Sequence, residues 1–416
     1  MEKNINARQT AIKVSLVALI TLLLLIPLGM IKGIIGDREE TKDAVIEEVA
    51  RSYARQQKIS APYLISHIVG ENEIKKADGK VEKVPFSKDC NTYITEVNYK
   101  ANVETDVLHR SIYDVIVYNS RINISGKLRV SMEAIAAKEN FFCFKIEDQK
   151  GFSNPSQLTF GGQTSKINND GGYFKAEVQL PKDVKIGDTV DFTISFDLKG
   201  TESLFFYPAE RGNTSLAISS PYPHPSFQGE LLPNERNVRN DGFDATWHAS
   251  EYNSESYYKM GVKFVDPANP YQQSMRSAKY GMLIIILVFV AGLFVEFLTK
   301  KAINPIQYAV IGLSLVLFYS LLLAFSEFIT FGAAYTIAAS MTTVALMLYF
   351  KGILKNNSAY MLGGFVTLVY ILNYMLLQMQ TYALLSGSLV LFLLLCVVMY
   401  LTANMNSKEQ TKTELE

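Results

Sequence analysis

The sequence predicts an α-helical transmembrane bundle of six spans, arranged as one plus five, with a large β-rich extracytoplasmic domain inserted after the first span. Three observations predict this fold class. One apolar run lies near the start of the chain, five more lie towards its end, and a long polar stretch separates the two groups. A helix crosses the hydrocarbon of a bilayer with about 20 apolar residues and satisfies its own backbone there.

The first apolar run, Val14–Ile31, follows the basic residues Lys3, Arg8 and Lys13. Positive residues before an apolar run are typical of a cleavable signal peptide and also of a membrane anchor. This run is longer than the apolar core of a usual signal peptide, and no small-x-small cleavage motif follows it. We therefore interpret it as an uncleaved anchor.

The distribution of lysine and arginine predicts the orientation of the spans. These residues concentrate before the first span, after the second and fourth spans and in the tail, whereas the turns 327–330 and 378–381 have none. Because basic loops stay in the cytoplasm, both termini are predicted to be cytoplasmic. The predicted spans are 14–35, 281–299, 306–326, 328–350, 360–378 and 381–402. The predicted domains are an N-terminus with the first helix (1–36), an outer domain (37–279), a five-helix bundle (280–402) and a cytoplasmic tail (403–416).

Composition excludes some classes of function. The chain has 40 basic and 40 acidic residues, and the polar stretch shows no basic stripe, which argues against a nucleic-acid partner. Three cysteines provide neither a disulfide framework nor the spacing of a metal site. Cys90 and Cys143 either form a disulfide in an oxidising compartment or remain buried thiols, and we favour the thiols.

The outer domain begins with a helical pattern and continues with alternating ones. Residues 37–58 have apolar side chains at three- and four-residue spacing, which predicts a helical stalk that continues the first span and ends before Pro62. Beyond this stalk, apolar and polar residues alternate, which is typical of strands in one or two β-sandwiches. The predicted strands are 173–180, 190–198, 204–207, 215–218 and 243–247. Glycines at 171 and 172 predict a turn, and the segment 151–164 is the predicted boundary between lobes.

Two stretches of sequence carry a family resemblance. The first is PYPHPSFQGELLP at 221–233, followed by GFDATW at 242–247. The second is YQQSMRSAKY at 271–280, followed by NPIQY at 304–308 and FYSLLLAFSE at 318–327. The chain resembles the CreD family of bacterial inner-membrane proteins essentially from end to end.

The resemblance implies a location and a broad role. It implies a multi-pass protein of the bacterial inner membrane whose outer domain lies in the periplasm. The family is linked to cell-envelope integrity and, in some bacteria, to a two-component regulon that responds to envelope or β-lactam stress. No biochemical activity is established for the family, so the resemblance implies no catalytic residues.

Two glutamates near the spans are candidates for function, because ionisable residues in membrane segments are often functional. Glu296 lies near the cytoplasmic end of the second span, where it either forms an ion pair with Lys300 or acts as a proton site. Glu327 lies in an outer turn, where it either marks the water interface or joins a polar cluster with residues of the outer domain. Asn373 and Gln378 are predicted to form hydrogen bonds between helices.

A segment rich in proline and aromatic residues provides the other candidates. His224, Pro225, Phe227 and Trp247 form either a partner-binding surface or a packed structural corner. The histidines lack the HxxxH or HExxH spacing of a zinc site, so we predict no metal and no cofactor. No GxSxG, SxxK or phosphate-binding motif is present with its partners, so we predict no catalytic residues.

These observations lead to three hypotheses. The first is a non-enzymatic protein of the cell envelope that contacts membrane lipid and a periplasmic or envelope protein partner. The second is a transporter or lipid-handling protein with a polar path through Glu327, Asn373 and Glu296. The third is a membrane enzyme that acts on cell-wall or lipid substrates. We favour the first because the outer domain is large and reaction motifs are absent from the sequence.

Overall fold

The computed structural model describes residues 2–75, 81–170, 172–253, 255, 257–266, 269–299, 302–354 and 358–378, together with single residues at 388, 392, 396 and 399. The chain divides into two compact units. The helical unit comprises Met1–Thr41 and Ala268–Glu416, and the β-rich unit comprises Lys42–Pro267. The predicted sixth span (381–402) and tail (403–416) lie outside the described residues, apart from those single positions.

The described helices include several that are apolar enough to cross a membrane. They are α1 (Glu2–Leu23), α2 (Leu25–Ser52), α3 (Met132–Ala136), α4 (Pro270–Lys279), α5 (Gly281–Thr299), α6 (Pro305–Ser326), α7 (Phe331–Leu354) and α8 (Ser358–Gln378). By length and composition, four described segments could be spans: Ile12–Ser52, α6, α7 and Ala359–Gln378. The pair α4 and α5, bent by 42°, is a fifth if it counts as one span. The prediction of several apolar helices is confirmed.

A proline accounts for the interruption between α1 and α2. Leu24 separates the two helices, and Pro27 lies three residues later. Proline has no N–H to donate to the carbonyl of Leu23, and its ring crowds that carbonyl, so one helical hydrogen bond is missing there. The second helix then continues through the acidic segment and ends at Ser52, earlier than the predicted 58. It ends earlier because Gln57–Ile59 pairs with another strand instead of extending the helix.

Local capping explains where two later helices begin. Asn304 accepts a hydrogen bond from the backbone of Ile306, and the Gln307 side chain bonds back to the backbone of Asn304. This capping box, with Pro305 in the first turn, fixes the start of α6. Asn269 and Pro270 play the same roles at the start of α4. In both helices, a polar side chain just before the first turn caps the backbone, and this fixes the residue at which the helix begins.

The described residues of the β-rich unit form two sheets. Its strands are β1 (Gln57–Ile59), β2 (Tyr63–Lys75), β3 (Val81–Arg110), β4 (Tyr113–Arg129), β5 (Glu139–Lys145), β6 (Phe152–Ser153), β7 (Leu158–Phe160), β8 (Gln163–Ser165), β9 (Asn168–Asp170), β10 (Tyr173–Val178), β11 (Thr189–Thr201), β12 (Ser203–Phe206), β13 (Asn213–Ser220), β14 (Pro225–Gly229), β15 (Glu235–Arg239), β16 (Gly242–Ala249) and β17 (Met260–Phe264). The smaller sheet has the order β1-β12-β17-β14. The larger follows β8-β7-β11-β4-β3-β2-β5-β10-β9, with β13, β16 and β15 branching from β3 and with β6 beside β11.

One hydrophobic core joins the two sheets. Leu204, Val262 and Phe264 of the smaller sheet belong to the same buried cluster as Ile122 and Phe196 of the larger one. Along β11, buried and exposed positions alternate from Thr189 onwards, as the sequence pattern predicts. At the turn between β9 and β10, Gly172 has φ +103°, a conformation that favours glycine. The prediction of a large β-rich domain is confirmed.

The predicted lobe boundary at 151–164 is wrong. Phe152–Ser153 and Leu158–Phe160 both pair with β11 of the larger sheet. The serine, glycine and glutamine residues of this segment form short edge strands and the bends between them, so their polarity does not mark a linker. The β-rich unit is a single compact body.

The two cysteines of the β-rich unit are free thiols. Cys90 lies on β3 and Cys143 on β5, and β2 lies between these strands. Neighbouring strands are about 4.8 Å apart, so the two Cα atoms are separated by about 10 Å or more. A disulfide needs a Cα separation below about 7 Å. The sheet therefore keeps these cysteines apart, and burial raises the pKa of the Cys143 thiol to about 11.

Candidate functional site

Two of the aromatic candidates are packed inside the β-rich unit. Trp247 is 1% exposed, and the ring of Phe227 lies 5.8 Å from it and 5.6 Å from the ring of Phe243. Phe227 reaches this position because β14 pairs with β17, which places Phe227 opposite Val262. This packing favours a structural corner over a free surface at these two residues.

The other two residues of this segment lie at the start of β14. Pro225 is half-buried and pairs with Phe264, whereas His224 is exposed. The backbone carbonyl of His224 accepts a hydrogen bond from the N–H of Val265 at 3.4 Å. Within the described part of the chain, no group of three or more His, Cys, Asp or Glu side chains is arranged to hold a metal ion.

Glu296 forms an ion pair with Lys13 of α1. The sequence suggested Lys300 as the partner, and that residue lies outside the described residues. The Glu296 side chain is 16% exposed, and its second carboxylate oxygen is buried. The hydroxyl of Tyr308 is buried beside the same carboxylate. The pair therefore connects the first helix to the end of α5.

Glu327 lies in a polar cluster built from three helices. Its carboxylate accepts a hydrogen bond from the Tyr271 hydroxyl at 3.3 Å and lies 3.7 Å from Nε of Arg38. The Glu327 side chain is 10% exposed, whereas that of Arg38 is 49% exposed, so the carboxylate is shielded from solvent while its cationic partner reaches it. Arg38 lies on α2 and Tyr271 on α4, near the two points where the chain passes between the units. We call these three residues the Glu327 cluster.

Asn373 forms hydrogen bonds between helices, as predicted. Its side-chain nitrogen donates to the Tyr335 hydroxyl at 3.0 Å and to Ser277 Oγ at 3.4 Å. The Tyr335 hydroxyl in turn donates to the backbone carbonyl of Tyr370 at 2.8 Å. These contacts connect α4, α7 and α8. Near Gln378, the observed contact is a hydrogen bond from Arg276 to the carbonyl of Leu377 at 3.2 Å.

Glu327, Asn373 and Glu296, the residues of the suggested polar path, do not form one continuous path. Tyr271, Ser274 and Ser277 are buried at helical spacing along α4, so one face of this helix reaches both the Glu327 cluster and Asn373. Glu296 lies 19 residues beyond Ser277, which is roughly 28 Å of helix. The structure therefore associates Glu327 with Asn373 through α4 and places Glu296 apart from both.

Three side chains that were not identified from the sequence are arranged like a Ser-His-Asp catalytic triad. His67 Nδ1 lies 2.6 Å from Asp89 Oδ1, and His67 Nε2 lies 3.4 Å from Ser87 Oγ. The arrangement follows from strand register, because His67 and Asp89 are directly opposite on β2 and β3. Ser87 and Asp89 are exposed on a sheet face, where water weakens electrostatic stabilisation of a reaction. The spacing of these three residues in the sequence matches no catalytic motif. The only signal in the sequence is that a serine, a histidine and an aspartate are present.

Several solved structures resemble part of the chain only distantly. An M1 zinc metallopeptidase from Deinococcus radiodurans is 10% identical, with 41% of this chain and 42% of that one covered and a TM-score of 0.23. A two-domain M1 zinc metallopeptidase bound to L-arginine gives 11% identity, the same coverage and a TM-score of 0.22. Similarity at this level carries no functional conclusion.

Comparison of sequences gives a much broader match. The chain is 28% identical over 413 residues to the inner membrane protein CreD of Escherichia coli, covering 92% of this chain and 91% of that protein. The family model described as inner membrane protein CreD matches residues 9–408. The resemblance found in the two sequence stretches is therefore confirmed, and the chain belongs to the CreD family of inner membrane proteins.

Proposed function

We propose that this protein contributes to cell-envelope integrity or the envelope-stress response, without catalysis, through contacts that its β-rich unit makes in the periplasm. In this proposal six spans cross the inner membrane, contact its lipid and leave both termini in the cytoplasm. The β-rich unit meets a periplasmic or envelope partner. Membership of the CreD family supports the location in the inner membrane.

The Glu327 cluster is the observation that carries this proposal. Arg38 and Tyr271 lie near the points where the chain leaves and re-enters the helical unit, and both contact Glu327 in the turn after α6. These two points and the turn 327–330 are therefore at one end of the helical unit. That turn has no basic residue. By the positive-inside rule, this end faces away from the cytoplasm.

The ion pair of Lys13 with Glu296 supports a cytoplasmic location for the other end of the helical unit. It brings the basic N-terminal segment close to the last turn of α5. Lys351, in the last turn of α7, fits the same side, because α6 and α7 are joined by a short turn and are antiparallel neighbours. Basic residues thus gather at this end, which the positive-inside rule assigns to the cytoplasm.

Thiol accessibility tests the placement of the β-rich unit. Tyr252, which is 90% exposed in that unit, is changed to cysteine in a chain whose native cysteines are serine. A membrane-impermeant maleimide applied to cells with a permeabilised outer membrane is expected to label Tyr252→Cys. The matched variant Lys351→Cys is expected to react only after the inner membrane is disrupted. The opposite labelling pattern would contradict the proposal.

A deletion strain tests the role in the envelope. Loss of the gene is expected to increase sensitivity to detergents or β-lactams, and the wild-type chain is expected to restore resistance. Ser87→Ala is expected to restore it equally, because the proposal assigns no reaction to the trio of Ser87, His67 and Asp89. Failure of Ser87→Ala at normal protein levels would favour a hydrolytic function instead.

One observation favours transport or lipid handling as a second candidate function. Ser274 Oγ, Asn373 Oδ1 and the hydroxyl of Tyr319 are buried without hydrogen bonds to any residue that the structure describes. Such groups in a membrane-embedded core are costly unless water or a ligand reaches them. If Asn373→Leu and Glu327→Ala restore envelope resistance like the wild type, this second function is excluded.

A further inference from the structure

A cavity of about 530 Å³ lies on the outer face of the larger sheet in the β-rich unit. Tyr63 and Tyr93 stand directly opposite each other on β2 and β3, so their side chains share one face of the sheet. Leu64, the next residue along β2, is fully buried in the core on the other face. The cavity therefore opens outwards, and its size is that of a small-ligand site. We call it the tyrosine groove.

Aromatic rings from separate parts of the chain converge on this groove. Tyr63 and Tyr93 come from neighbouring strands, Tyr207 follows β12, and Tyr257 precedes β17. Tyrosine offers a rigid apolar face with a hydroxyl at its tip, which gives contact area at a low cost in conformational entropy. Burial raises the pKa of Tyr63 to about 12, and a neutral tyrosine hydroxyl both donates and accepts hydrogen bonds. The walls are thus both apolar and able to form hydrogen bonds.

The charges at the groove balance each other. Glu210 lines it and interacts with the Tyr93 hydroxyl, while the Arg211 guanidinium lies 5.5 Å from the centre of the Tyr93 ring. Arg211 does not itself line the groove, but its guanidinium on the same ring offsets the charge of Glu210, so the groove has no net charge that would favour an anion or a cation. Asn91 adds an amide that both donates and accepts. The groove is therefore suited to an uncharged ligand with several hydroxyl groups.

The backbone around the groove is unsuited to binding a peptide as an added strand. Pro62 and Pro208 line the groove and have no N–H to donate. The N–H of Ser60 donates to the carbonyl of Lys145, and the N–H of Tyr207 donates to the carbonyl of Ile59. A strand added to a sheet edge needs unpaired backbone donors. Recognition here must come from side chains.

We propose that the tyrosine groove binds an uncharged glycan. The C–H faces of the sugar rings would stack on the tyrosines, and sugar hydroxyls would bond to Asn91 and Glu210. Sugar hydroxyls both donate and accept, which matches the tyrosine hydroxyls, the amide and the carboxylate. The biological meaning of this site rests on the proposed function, since the groove meets envelope glycans only if the β-rich unit is periplasmic.

Isothermal titration calorimetry on the purified full chain tests the proposal, in a detergent without a sugar headgroup. The probes are a soluble β-linked N-acetylglucosamine tetramer, maltotetraose and a proline-rich peptide. We expect saturable binding of at least one oligosaccharide and none of the peptide. Because purified protein has no sidedness, this measurement is independent of the thiol-accessibility test, so the two proposals can fail separately.

Two exposed tyrosines provide a matched pair of variants. Tyr257 is 62% exposed and lines the groove, whereas Tyr252 is 90% exposed and is not among its lining residues. Neither belongs to the buried core, so both variants are expected to fold. Tyr257→Ala is expected to weaken oligosaccharide binding about tenfold, and Tyr252→Ala to leave it unchanged. Equal effects of both variants, binding of the peptide alone, or no binding of either oligosaccharide would overturn the proposal.

Discussion

At the scale of single residues, Trp247 shows how burial decides between two interpretations of one motif. Its ring contacts Phe227, and among described residues its indole N–H has no hydrogen-bond partner. Trp247→Ala is expected to lower the free energy of unfolding by about 3–5 kcal/mol through cavity formation. Trp247→Phe should cost less, because it also removes an unsatisfied donor. Thermal unfolding followed by circular dichroism measures both, with Leu232→Ala, at an exposed site, as the control.

A loss of only a few tenths of a kcal/mol in Trp247→Ala would contradict the packed corner. It would mean that the aromatic segment is held open for a partner, which is the other interpretation of the sequence. His224, exposed at the start of β14, is then the residue on which a partner contact would depend.

The Glu327 cluster allows a prediction that separates charge from hydrogen bonding. Glu327→Gln keeps an acceptor for the Tyr271 hydroxyl but removes the charge that faces Arg38. Glu327→Ala removes both. We expect the alanine variant to lower stability in detergent by about 1–3 kcal/mol and the glutamine variant by less. A thermal melt of the helical unit measures this, and equal losses would assign the whole effect to the charge.

The thiol of Cys143 should be unreactive in the folded protein. Its pKa of about 11 leaves little thiolate at neutral pH, and the side chain is buried. In a chain with Cys90 and Cys396 changed to serine, we expect negligible labelling by a maleimide until denaturant is added. Fast labelling of the folded chain would show that the sheet opens around β5.

At the scale of secondary-structure elements, glycines in the helices identify close packing. A Cβ at Gly312 of α6 would collide with the Leu24 side chain and lie 2.9 Å from the ring of Phe289. A Cβ at Gly364 of α8 would meet nothing within 4 Å. We therefore expect Gly312→Ala to destabilise the helical unit by about 1–3 kcal/mol through overpacking. Gly364→Ala is the matched control and should be neutral or slightly stabilising, since alanine favours helix.

The elements that were predictable from sequence are those with a local signal. The alternation in 190–198 needs no knowledge of its partner strand, and β11 includes that range. The end of α2 was misjudged because Gln57–Ile59 is fixed by parallel pairing with β12, which lies far along the chain. The segment 151–164 was misjudged for the same reason, since it pairs with β11. The composition of a short segment does not show which distant strand it pairs with.

The candidate site residues could be selected from local sequence, but their contacts with distant residues could not. Ionisable residues in apolar segments are conspicuous, so Glu296 and Glu327 could be selected from sequence. Their partners could not, because Lys13 and Glu296 are 283 residues apart. The tyrosine groove was missed entirely. Its rings come from chain segments that only the fold brings together.

At the scale of the whole molecule, surface carboxylates predict a dependence of stability on pH. Hydrogen bonds from Arg121 and Asn154 lower the pKa of Asp197, and a backbone N–H of Lys259 lowers that of Glu230. Groups with a lowered pKa stabilise the fold above their unfolded values, near 3.8 and 4.5, and lose that effect as pH falls. We expect the melting temperature of the β-rich unit to fall as pH drops from about 6 to about 3.

A double variant isolates this contribution. Asp197→Asn with Glu230→Gln should flatten the acid side of the curve and lower the melting temperature slightly at neutral pH. An unchanged slope would mean that other groups control the response to acid.

The lone tryptophan of this chain has a practical consequence for anyone who purifies it. Because Trp247 is buried in the β-rich unit, its fluorescence reports the solvent exposure of that unit alone. A detergent that unravels the apolar helices while sparing the sheets would leave the emission spectrum intact. Optical screens would then accept a sample whose membrane half is already lost.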